Sequence, residues 1–287
     1  LKLFHNLMTN AFRFAHHTSL PAQRFSSASP FWRINREWLT TLSGARAVFL
    51  EIAHPLVAAG VAEHSNYQQE PFGRLFRTLG TMTDLAYNSP RAAHTAVRHY
   101  HHCHSAVKGV LKEAVGPFPA GTEYDARDPL LRLWVLATLI DSALLTHELF
   151  VRPISPAEKA SYYADFQKLG SYLGLSPALT PATYPDFQDY MQAMLHSDLL
   201  TVSDKARDIA RALYAPPVVG RVVRGLSFVG IGLLPAHIRA AFGFSWSETH
   251  ERWLHKLAAF SRRARPLLPS LLMVHPTVLL AEWRSKR

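Results

Sequence analysis

The sequence predicts an all-α protein, one large helical domain, and three observations carry that reading. Apolar residues recur at three- and four-residue spacings along most of the 287 positions, which is the period of one helix face. The nineteen prolines punctuate these segments and separate one periodic run from the next. No Asn-Gly or Asp-Gly pair joins two alternating runs, so β-hairpins have little support.

Taken in order, the spacing predicts helices near 36–51, 56–64, 72–87, 91–113, 129–150, 156–173, 185–196, 203–214, 218–229, 235–242 and 247–264. Several carry start signals. Ser89-Pro90, Asp128-Pro129 and Ser155-Pro156 with Glu158 each place a capping oxygen before a proline at the first helical position. With 48% hydrophobic and 18% charged residues, the chain can bury a sizeable core. A single cysteine, Cys103, closes no internal disulfide and excludes multi-cysteine zinc and iron–sulfur frameworks.

The net charge of +10 sits at the ends. Residues 1–36 hold five basic groups and no acid, and residues 261–287 hold six against Glu282. The stretch between them is neutral, which argues against a groove that tracks nucleic-acid phosphates. The expected division is a basic N-terminal arm or helix over 1–31, a folded body over 32–265 and a basic tail over 266–287. The acid-free start, with Leu3, Phe4, Leu7, Phe12 and Phe14, reads either as a targeting or membrane-surface arm or as an ordinary helix packed on the domain. Peripheral membrane contact through the basic ends is therefore an open expectation. No spanning helix is predicted: Leu133–Leu145 is short and contains Asp141.

The chemistry-bearing segment is Arg91–Leu111, with His94, His99, His101, His102 and His104. Ala93, Val97, Tyr100, Val107 and Leu111 form one helical face when His104 is counted among them. His102 then points the other way, and His94 and His101 lie at the margin. His104 is thus the imidazole expected in the apolar interior. It is either a core histidine bonded at both nitrogens or a ligand to a metal or haem. A second element is Arg74-x-x-Arg77-Thr78, whose Arg74 and Thr78 share a face. It is either a solvated basic face or a set of donors for an anion or for dioxygen at an iron.

Spacing removes several rivals. Helical di-iron proteins use two Glu-x-x-His units, and only Glu51-Ile52-Ala53-His54 matches, with Pro55 directly after it. His-Glu-x-x-His, the P-loop and Gly-x-Ser-x-Gly are absent. His54, at a helix end, is expected to bond freed carbonyls. His64 reads equally as a pocket residue or a surface one. Asp141, set among apolar residues, is expected to accept from His104 or to pair with an arginine.

Together these pieces resemble the MpaB/latex-clearing-protein family of oxygenases. The resemblance spans roughly Trp32 to Trp246. It rests on the string Gly44-Ala45-Arg46-Ala47-Val48-Phe49-Leu50-Glu51-Ile52-Ala53-His54-Pro55-Leu56-Val57-Ala58-Ala59-Gly60-Val61, then His64-Ser65, Arg74-x-x-Arg77-Thr78 and His104-x-x-Val107-x-Gly109. Asp128, Trp134-Val135, Asp141-Ser142, Leu234-Pro235, Arg239 and Trp246 follow in order.

The resemblance implies an all-α domain enclosing haem b, which with dioxygen attacks a carbon–carbon double bond of an apolar, isoprenoid-class substrate. His104 matches the family's axial ligand, and Arg74, Arg77 and Thr78 match its distal pattern, with Arg74 expected either to orient the oxygen-side donors or to pair with a haem propionate; His64 and Asp141 are further cofactor-site candidates. One departure matters: rubber-cleaving relatives carry lysine where this chain has Arg77. An amine can lose its proton and ligate iron, whereas a guanidinium stays protonated. The expectation is a sixth iron position not capped by a side chain. A haem sensor or carrier without turnover, and a cofactor-free scaffold, are the rival readings.

Overall fold

The computed structural model describes residues 25, 27–65, 67, 73–214 and 220–284. The basic arm expected over 1–31 lies outside them except for its last residues. There Ser29 caps α1 (Pro30–Asn35) by accepting from the Trp32 N–H. The architecture is helical, with one two-stranded sheet among the described residues.

The helix expected over 36–51 is broken. Glu37 is extended, a 3-10 turn follows at Trp38–Leu42, and α2 runs only over Ser43–Ala53. The reason is tertiary: Glu37 forms an isolated bridge with Val274 and an ion pair with Arg265, so it is not available to a helix. His54 joins α2 to α3 (Pro55–His64) in an extended conformation, as a residue before proline prefers. The chain turns there by 105°.

Next come α4 (Gly73–Tyr87) and α5 (Pro90–Ser105), packed along each other. The helix expected to reach 113 stops at Ser105, and the chain forms the hairpin not foreseen from the sequence. Strand β1 (Lys108–Val110) pairs antiparallel with β2 (Glu123–Asp125). Its long connection, tightened by a Val115–Phe118 bridge and two positive-φ glycines, Gly116 and Gly121, carries none of the two-residue turn signals. Gly109 faces Tyr124 so closely that a Cβ would lie 2.6 Å from the phenol oxygen.

The core is organised by α6 (Pro129–Phe150), capped by Asp128 and buried on nearly every side. Such a helix is apolar all round because it sits inside the protein. It is long and apolar enough to cross a membrane, yet two thirds of that window is buried here. Trp134 donates its indole N–H to the Leu50 carbonyl at 3.1 Å, binding α6 to α2.

Around this pair lie α7 (Pro156–Tyr172), α8 (Tyr184–Leu195), α9 (Asp204–Tyr214), α10 (Gly220–Gly232), α11 (Ala236–Ala241) and α12 (Glu248–Ala264). α7, α8 and α12 begin with capping boxes. α10 crosses α2 at Gly230, where a Cβ would meet Ala45 Cβ at 2.5 Å and the Arg46 nitrogen at 2.9 Å.

The stretch read as a tail continues the fold. A 3-10 turn (Arg265–Leu267), α13 (Ser270–Met273) and α14 (Pro276–Arg284) return to the start of the domain. The His275 N–H donates to the Arg36 carbonyl at 2.9 Å, Trp38 stacks on His275, and Val278 is buried.

Candidate active site

A cavity of about 390 Å3 opens between α2, α4, α5, α6 and the start of α14. Its walls are mostly apolar, with Val48, Leu85, Val135, Leu136, Leu139 and Phe166 among them. Glu51, Tyr100, Cys103, His104 and Arg132 supply most of the chemistry. The volume falls in the range of small-molecule and cofactor pockets.

His104 reaches this cavity from the last turn of α5. It is half-buried, not deep in the core as the periodicity suggested. The helix ends one residue later, and Leu111, counted on the same face, belongs instead to the hairpin region. Nδ1 lies 2.8 Å from the Tyr100 carbonyl. A carbonyl only accepts, so Nδ1 carries a proton, and in the neutral ring the lone pair is on Nε2. The ring also packs on the Tyr100 ring, centroids 4.0 Å apart. Of its neighbours, His99 and His102 are exposed and His94 and His101 half-buried, as the helical wheel predicts.

Two lining residues, Arg132 and Glu51, were not singled out as site residues from the sequence. Arg132 is buried and held by the carbonyls of Ala126 and Leu173, both at 3.1 Å. Its guanidinium lies over the Tyr100 ring at 5.9 Å. Burial pushes the Tyr100 hydroxyl pKa up; Arg132 opposes the shift and Glu51 adds to it. Glu51 is itself buried. The available signal was a charge inside an apolar run: Phe49-Leu50-Glu51-Ile52 and Leu131-Arg132-Leu133 read like the Asp141 case.

Asp141 and His64 are not among the residues that line this cavity; of the alternatives open in the sequence, Asp141 takes the arginine and His64 the surface. Asp141 meets buried Arg46 at 2.7 Å. Arg46 also donates to Ser142 Oγ and to the Leu233 carbonyl, both at 2.8 Å. The carboxylate therefore helps lock α2 to α6 and to the end of α10, while His104 takes a carbonyl from its own helix. His64 is exposed at the hairpin, with Nε2 3.2 Å from the Lys108 carbonyl. It adjoins a cluster in which Tyr124 donates to Glu63 at 2.6 Å. The Tyr124 bond, Lys205 and Lys112 hold the Glu63 carboxyl below its ordinary range, against some desolvation.

His54 makes no carbonyl contact through Nδ1, which is buried without a partner, and desolvation lowers the ring pKa to about 4. Arg74, Arg77 and Thr78 lie on α4, but their side chains fall outside the described residues. Among the described residues, no group of three or more His, Cys, Asp or Glu is arranged to hold a bare metal ion.

Residues 32–263 match the family described as the catalytic domain of the ER-bound oxygenase mpaB/B′ and rubber oxygenase. Uncharacterized proteins of Mycobacterium bovis and Mycobacterium tuberculosis are each 26% identical over 232 residues, covering 78% of this chain and 88% of theirs. No solved structure matches significantly. The family match runs through α2, α5 and α6, the helices that build the cavity, and by that match the chain belongs to the mpaB and rubber oxygenase family.

Proposed function

We propose that this member of an oxygenase family is haem b-dependent, with His104 as the axial ligand, and that it attacks a carbon–carbon double bond of an apolar, isoprenoid-class substrate. The observation that carries the reading is His104 itself. It is an imidazole on the wall of an apolar cavity, its Nδ1–H donated to the Tyr100 carbonyl, which directs the ligating lone pair to Nε2.

The residues present fit a haem. The macrocycle needs an apolar slot, one oriented donor and cations for its carboxylates. The cavity offers Val48, Val135, Leu136, Leu139 and Phe166, then His104, then buried Arg132. Haem supplies the dioxygen chemistry, and the protein supplies binding, orientation and exclusion of water. Arg132 would offer positive charge to the carboxylates, and Arg74 is the second candidate for that role. Arg77 and Thr78, on α4, are the residues that would donate hydrogen bonds to dioxygen. Tyr100 holds the His104 ring in place, and the aliphatic walls receive the substrate.

The test is the absorption spectrum of the purified protein beside that of His104→Ala. The expected outcome is a strong Soret band in the first and its loss or displacement in the second. A colourless protein after growth with ample haem refutes the reading. So does pigment unchanged by the substitution. Haem retained with no product from an alkene under oxygen supports the sensor or carrier alternative.

A further inference from the structure

We infer that α12 and the residues just after it form a docking face for an anionic lipid bilayer. The helix has three distinct sides. Leu254 and Ala258 are buried, and Ser261 Oγ donates to the Phe150 carbonyl at 2.8 Å, so this side packs on the protein. At about 100° per residue, Trp253, Leu257 and Phe260 form a second side beside it. They are 61%, 43% and 69% exposed. Arg252, Lys256 and Arg263, all exposed, form the third side, beyond the stripe and away from the packed one.

The pattern continues past the helix. Leu267, Leu268 and Leu272 are 83%, 46% and 63% exposed. From residue 252 to 281 the chain holds five basic residues (Arg252, Lys256, Arg262, Arg263, Arg265) and no acidic one. Lys256 places its ammonium 5.4 Å from the Trp253 ring, as a side chain does when its head reaches past an apolar neighbour. An aromatic and aliphatic stripe bordered by cations is the layout of a helix lying in a headgroup layer, where anionic lipids attract each cation. Aromatic residues and arginine also suit protein interfaces, but Arg252, Lys256 and Arg263 border the stripe with one sign of charge, which favours an anionic surface over a second copy of the same face.

The face adjoins the cavity. Arg265, one residue beyond α12, pairs with Glu37, whose neighbour Trp38 is half exposed and stacks on His275. His275 lines the cavity with Thr277 and Val278. A bilayer-dissolved substrate would thus meet the protein beside that wall; this delivery step rests on the proposed function, and the docking itself does not.

The experiment is co-sedimentation of the full chain with phosphatidylcholine vesicles, with and without about 30% phosphatidylglycerol, at low and high salt. Binding to the anionic vesicles that weakens with salt is expected. The variant Trp253→Ala/Leu257→Ala/Phe260→Ala, checked for native circular dichroism, should bind about tenfold more weakly or less. Arg252→Glu/Lys256→Glu/Arg263→Glu should lose the preference for anionic lipid. No vesicle binding, or equal binding by the first variant, overturns the inference. A dimer in sedimentation equilibrium that the same variant dissociates also overturns it, by assigning the face to a second copy. None of these readouts needs haem or turnover, so failure here and failure of the oxygenase reading are separable.

Discussion

Arg46 shows how one buried charge organises the region beside the cavity. Its guanidinium is satisfied by Asp141, Ser142 and the Leu233 carbonyl, so three elements depend on it. Truncation leaves a carboxylate, a hydroxyl and a carbonyl without their donor. Arg46→Ala should cost about 3 kcal/mol, read as a lowered urea midpoint, whereas Asp141→Asn, at the more exposed end of the pair, should cost less. Equal stability of Arg46→Ala and the parent would count against this account. Under the proposed haem reading, the guanidinium of Arg77 cannot give up its proton to ligate a metal. The ferric spectrum is expected to show no second nitrogen ligand from the protein. Arg77→Ala should keep its haem and lose about tenfold or more in turnover; unchanged turnover removes Arg77 from the mechanism.

At the scale of elements, close approach of α2 and α10 depends on Gly230. A methyl there would press on the Ala45 Cβ and the Arg46 backbone, so Gly230→Ala should destabilise by about 1–3 kcal/mol, checked by thermal melting. The same elements show what the sequence discloses. Helices α6 and α7 announce themselves through the start pairs Asp128-Pro129 and Ser155-Pro156, and α8 through the periodic apolar face of Phe187, Met191, Met194 and Leu195, because capping and period are local properties. Glu37 and the hairpin were not legible. Glu37 is extended because Val274 and Arg265, far along the chain, claim it. The hairpin uses a long loop without a recognisable turn. The site divides the same way. His104 stood out by its place on an apolar face, while its acceptor, the Tyr100 carbonyl, is backbone and has no residue signature. Arg132 and Glu51 carried a signal that periodicity alone does not rank.

For the whole molecule, acid is the condition that exposes its weak points. His54 and His147 are buried, and desolvation lowers both to about 4, with Arg152 and Arg265 adding to the shift at His147. The unfolded chain takes up these protons near pH 6.5, while the folded protein refuses them until about pH 4. Stability is therefore full above pH 6.5 and drains as the pH falls towards 4, by on the order of 3 kcal/mol per histidine as a ceiling. Urea midpoints measured from pH 7 to 4 should fall, and His147→Phe should flatten part of the slope. A flat profile for the parent would contradict the buried-neutral account.

The family match ends at residue 263, but the chamber does not. His275, Thr277 and Val278 come from beyond that limit, and Val278 plugs the interior at 2% exposure. Trimming the polypeptide to the matched boundary would strip one side off the cavity, admit solvent and unmoor Glu37. Expression work guided only by the alignment would then yield an opened vessel, and its silence in an assay would say nothing about the intact enzyme.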